Sequence, residues 1–314
     1  MDNGGQCTVS VMPEAAQAVL ALAKEGASLD SASEEFTQAL VALLIAHDTT
    51  ELAMRIVGAS RDEFRRAFLK LAAGQPVGEL KLSLDAIRNR PQDLEVRLNQ
   101  VTSDLSWLDR AQRLALERIP WRDELRGEIR LELMALGAGL LDGAAWMSGP
   151  VVHILLDLHL LENDADLVKV AAHEYNHAAV NLYRFDPARK ITWLDDWPEP
   201  VRGILELLFM EGLARQSTLG RRYRDDIAAC FAVVQTAINE AWHGRQAGDD
   251  LWTGQGGQGH YGGTAGAFVF ETIFDLVPLG AAERALREGP LGVLDLYDSL
   301  AANRGLPRLT LRRM

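Results

Sequence analysis

Residues 163–183 read NDADLVKVAAHEYNHAAVNLY, and the shape of the molecule follows from how this stretch folds. Asn163 or Asp164 can cap a helix start, and Val168, Val170, Ala178, Ala179 and Val180 surround the central residues with apolar neighbours. The spacing predicts one helix running to about Tyr183. Its alanines, at 171, 172, 178 and 179, allow other elements to pack closely, while Lys169, Asn176 and Tyr183, seven apart, predict a wetter edge.

Upstream, Ile129, Leu131 and Leu133 alternate with Arg130 and Glu132, and residues 151–156 form a β-branched apolar run, so a small sheet is expected before the helix. Asp142-Gly143 reads as a turn between them. Downstream, helices are expected from Pro200 to about Leu219, from Asp225 to Trp242 and from Phe268 to Phe274. From Pro13 to Pro120 the pattern is helical, with Ser60 as a cap, Gly58 and Gly74 as stops, and one long segment from Pro91 to Arg118. The expectation is an α+β, mainly helical fold. It has two parts, a helical N-terminal region over 1–120 and a region over 121–314 that carries the chemistry.

The chain has 314 residues, 48% of them hydrophobic, and 44 acids against 32 Lys plus Arg give a net charge of −12. That composition suits a globular protein, and the charge disfavours capture of nucleic acid or an anionic membrane surface. Two cysteines, Cys7 and Cys230, give no metal-binding or framework spacing. With no apolar leader or spanning segment either, a cytoplasmic protein is expected.

Within the quoted stretch, His173-Glu174-Tyr175-Asn176-His177 is an HExxH pattern. Residues four apart share a helix face, so both imidazoles can reach one metal ion while Glu174 lies beside the first ligand as a general base. With only seven histidines in the chain, independent placement gives the pattern about once in a hundred such sequences. The chemistry suited to this spacing is Zn2+ held by three protein groups, leaving a position for water. The third ligand should come from another element. Glu211 shares an apolar face with Ile204, Leu207 and Leu208, where a buried carboxylate needs a cation. Glu206 can instead pair with Arg202, and Asp195 and Asp196 are further alternatives. Gly212 would allow the HExxH helix to approach closely.

HEYNH followed by Met210-Glu211-Gly212-Leu213-Ala214 resembles the gluzincin metallopeptidases, and more narrowly the bacterial predicted Zn-dependent proteases with HEYHH-type motifs. The resemblance covers about residues 127–274 and implies a strand-rich upper lobe, a helical lower lobe and zinc in the cleft. It leaves the N-terminal third unexplained. Asn176 stands where the narrower family has a histidine, and Arg215 stands where thermolysin-like enzymes have an aspartate that orients a ligand histidine, so the partners behind the ligands are unassigned.

An oxyanion donor is sought in GQGGQGHYGGTAG, residues 254–266, where His260 and Tyr261 are the candidates. His153 reads as a core or edge histidine, and His47, His159 and His243 as structural or solvated. Trp193 and Trp197 read as anchors of the loop after the HExxH helix. The expected activity is zinc-dependent cleavage of a peptide or protein substrate, with His173, His177 and Glu211 on the metal. Its rivals are a silent binding protein on the same fold and a helical interaction protein with an accidental motif.

Overall fold

A computed structural model describes residues 7–25, 31–78, 80, 82–137, 142–161, 163–219, 226–245, 251 and 261–311. The chain begins with β1 (Thr8–Met12), α1 (Glu14–Glu25), α2 (Ser31–Ala46), α3 (Asp48–Val57), α4 (Arg61–Ala72) and α5 (Leu84–Asn89). It continues through α6 (Pro91–Ser103), α7 (Ser106–Leu116), β2 (Glu128–Met134), β3 (Gly143–Ser148), β4 (Val151–Asp157) and α8 (Asp164–Arg184). It closes with α9 (Glu199–Leu219), α10 (Ile227–Trp242), α11 (Tyr261–Leu276), α12 (Leu279–Arg287) and α13 (Gly289–Ala301). The fold is α+β and mainly helical.

Two compact units form, Met1–Gln112 with Arg126–Ala178, and Arg113–Leu125 with Ala179–Met314. The line between them differs from a break at residue 120, because β1 pairs in parallel with β2 and so ties the start of the chain into the sheet.

In the first unit the strand order is β1-β2-β4-β3, parallel except for the antiparallel β3–β4 pair. Register places Ile129, Leu131 and Leu133 beside Val152, Ile154 and Leu156, and all six are fully buried. The opposite parity carries Glu132 and His153, which are buried yet bonded: His153 Nδ1 lies 3.1 Å from Glu132 Oε1. His47, the cap residue of α3, reaches the same carboxylate at 3.5 Å. Around this sheet α1 packs on β2 and on α2, α4 and α6. Ser60 and Glu63 form the capping box that starts α4, and Gly58 ends α3 in the left-handed region, as expected. The segment from Pro91 to Arg118 is broken at Asp104, whose carboxylate accepts from the backbone N–H and hydroxyl of Ser106 and starts α7 anew.

In the second unit α9 and α11 form the most extensive helix pair. A Cβ built on Gly212 would lie 2.5 Å from the carbonyl carbon of Gly266, so the pair owes its closeness to glycine on both sides. Gly212 therefore admits α11, and the expectation that it admits the HExxH helix is corrected. Trp121 stacks on Tyr183 at 4.2 Å, the Arg189 guanidinium lies over the Tyr183 ring at 4.6 Å, and Glu124 binds both Arg189 and Arg287. Trp193 joins the cluster and donates to the Arg287 carbonyl, which gives it the anchoring role read from the sequence.

Candidate metal centre

Helix α8 starts where the capping residues predict. Asn163 Oδ1 accepts from the Asp166 N–H at 3.0 Å, and Asp164 and Asp166 occupy the first turn, where acids are favoured by the helix dipole. Arg97 reinforces this end by donating to the Leu161 carbonyl and to Asp164. Midway, the Tyr175 hydroxyl meets the Cys7 side chain, and burial raises the pKa of both groups. Toward the end of the helix, the Trp121 indole donates to the Ala179 carbonyl. Asn176 is fully buried and Tyr183 nearly so, which corrects the expected wet edge; only Lys169 of the three is exposed.

His173 and His177 point the same way, their Nε2 atoms 3.1 Å apart and their rings nearly perpendicular. Two imidazoles on one tetrahedral zinc, with Zn–N near 2.0–2.1 Å, place their nitrogens about 3.3 Å apart, so little adjustment separates the observed pair from a ligating one. The same distance suits an N–H···N hydrogen bond, which needs one ring as donor and the other as acceptor. Glu174 is buried between the two in sequence, and its side chain lies against β3. A Cβ on Gly143 would come within 2.9 Å of Glu174 Cγ and 2.6 Å of Val170 Cγ1. Position 143, expected in a turn, instead opens an edge strand whose missing side chain makes room for the Glu174 carboxylate.

Glu211 lies on α9, half-buried. One oxygen of its carboxylate and one ring nitrogen each from His173 and His177 all lie within 4.8 Å of one another. A His/His/Glu group of this kind can hold a metal ion, and its nitrogen and oxygen donors suit zinc or another borderline divalent cation. Glu206 is engaged elsewhere, by the Arg184 guanidinium and not by Arg202 as its spacing suggested. Arg215, one turn beyond Glu211, places Nε 3.5 Å from Glu211 Oε2.

Tyr261 is the first residue of α11 and half-buried, so the glycines after it belong to a helix and not to a loop. His260 lies outside the described residues. His153 stacks on Trp146 and bonds Glu132, and His243 closes α10, both in structural roles. Comparison with protein-family models, curated proteins and solved structures gives no match. The assignment of the centre therefore rests on its own donors and geometry. Two contacts of it were not read from the sequence: Gly143 against the Glu174 side chain, hidden by the turn signal of Asp-Gly, and the ion pair of Arg215 with Glu211, although an acid and a base four apart on a helix are a natural pair.

Proposed function

We propose that the chain is a zinc-dependent hydrolase acting on peptide bonds, with His173, His177 and Glu211 as metal ligands. The observation that supports this most is a His173/His177/Glu211 group able to hold a metal ion, with the buried Glu174 next to His173 in the chain. Zinc, when bound, polarises a substrate carbonyl and acidifies water. Glu174 has the position for the proton work: next to His173 in sequence and set in place by β3, its carboxylate takes a proton from the attacking water and passes it to the departing amine nitrogen. Tyr261 is the donor proposed for the oxyanion. It begins the helix whose Gly263 touches Arg215, at the end of α9 beyond Glu211. The likeness of HEYNH and EGLA to the gluzincin pattern supports the same reaction.

The test joins metal content to turnover. Protein purified without added metal is expected to carry about one zinc per chain, and His173→Ala and Glu211→Ala are expected to lose it. Glu174→Gln is expected to keep zinc and lose cleavage of a peptide library by 10²-fold or more. Undiminished zinc in Glu211→Ala, or undiminished cleavage in Glu174→Gln, refutes the corresponding role.

A further inference from the structure

Arg215 is out of place at a metal centre. A ligand carboxylate there should face groups that tolerate an incoming cation, yet its neighbour one turn on is a guanidinium, which never loses its charge in proteins. We propose that Arg215 is the resident counter-ion of Glu211, a positioning residue that holds the carboxylate in place and lowers the affinity of the centre for its divalent cation. The inference rests on the metal-centre reading above.

Three observations carry it. The pair is spaced i, i+4 with the acid first, the favourable order on a helix, and Nε stands 3.5 Å from Oε2. Both side chains are largely withdrawn from water, Arg215 at 16% and Glu211 at 27% exposed, so salt screens their interaction only in part. The guanidinium is also seated. A Cβ on Gly263 would lie 2.5 Å from Arg215 Nε, 2.9 Å from Cδ and 3.0 Å from Cζ, so Arg215 occupies the space a side chain at 263 would fill. Gly263 is in turn positioned by the glycine crossing of α9 and α11 three residues further along. All of these residues belong to one compact unit.

The consequence follows from charge. In the metal-free protein Arg215 supplies positive charge to the partly buried Glu211 carboxylate and offsets part of its burial cost. A divalent cation that ligates Glu211 meets the same fixed positive charge at short range and binds less tightly for it. The pair thus stabilises the empty centre at the expense of the filled one and makes the cation exchangeable.

The experiment is a competitive titration of Zn2+ against a chromophoric chelator, with wild-type protein, Arg215→Gln and Arg215→Lys, each checked by circular dichroism. Arg215→Gln is expected to bind Zn2+ about tenfold tighter or more, while Arg215→Lys, which keeps the charge, stays within about threefold of wild type. Arg215→Met provides a second neutral variant if the Gln protein does not fold. High salt is expected to narrow the difference. Equal or weaker binding by the neutral variants, or equal tightening by Arg215→Lys, overturns the counter-ion role while leaving the metal centre standing. Absence of any Zn2+ site sensitive to His173→Ala in wild type overturns both.

Discussion

Substituting Gly212 by alanine adds one methyl group at the crossing of α9 and α11, where it would lie 2.5, 2.7 and 2.8 Å from three backbone atoms of Gly266. Backbone cannot rotate aside as a side chain can. The nearest of these distances is about 0.9 Å short of ordinary carbon contact, so the helices must separate by nearly that much, enough to forfeit a quarter to a half of the dispersion attraction across the seam. The seam includes Leu208, Phe209, Val269 and Phe270, all buried. Overpacking of this kind costs about 3 kcal/mol at its upper range, and replacing an interior helix glycine returns about 1 kcal/mol, for a net loss of about 2 kcal/mol. Gly203 lies on the same helix with nothing within 4 Å of its built Cβ, so Gly203→Ala should gain about 0.5–1 kcal/mol. The two substitutions are chemically identical, and the expected gap between them is about 3 kcal/mol. Urea unfolding followed by tryptophan fluorescence and circular dichroism measures it. If the two variants unfold within 0.5 kcal/mol of each other, roughly the scatter expected for substitutions without a special mechanism, the helices are not in backbone contact and the reasoning fails.

Gly143→Ala is expected to displace the Glu174 side chain, lowering cleavage about tenfold or more while zinc affinity changes little; steady-state kinetics beside a zinc titration separates the two. Glu124 is held below the ordinary carboxylate range mainly by its hydrogen bond from Arg287, with Arg189 adding to it. Its folded pKa lies below its unfolded one, so its contribution is complete above the unfolded value and fades as pH falls through the folded one. Thermal unfolding of Glu124→Gln should accordingly show less loss of stability than wild type on acidification from pH 5 to pH 3, and parallel curves would remove this ion cluster from the acid response.

Much of the fold was legible because it rests on local pattern. The ends of α8 follow from Asn163 and the apolar run around the motif, and β2 follows from strict alternation between Ile129 and Leu133. β1 was not found, since five residues pair with a strand more than a hundred positions away, and no local rule reports that partner. β3 was missed for a different reason: Asp142-Gly143 carries the strongest short turn signal, and only the fold shows that Gly143 is selected by the Glu174 side chain beside it. At the candidate centre, His173 and His177 could be paired from helix geometry alone, whereas placing Glu211 beside them required the argument that a carboxylate on an apolar face needs a cation. Glu206 illustrates the limit of that approach. Its helix neighbour Arg202 was the nearest partner in sequence, and Arg184 from another helix took its place.

The glycines at 212, 263 and 266 also constrain how this chain can diverge. Each leaves out a side chain for the sake of a particular neighbour, so none can change alone without strain. Position 263 can accept a methyl group only if residue 215 becomes shorter or turns away, and 212 can grow only if α11 recedes at 266. Mutational drift here is therefore coupled, with 215 and 263 changing as one pair and 212 and 266 as another. Helix propensity alone would favour alanine at all three glycines, so their retention or joint replacement records a packing requirement at the centre.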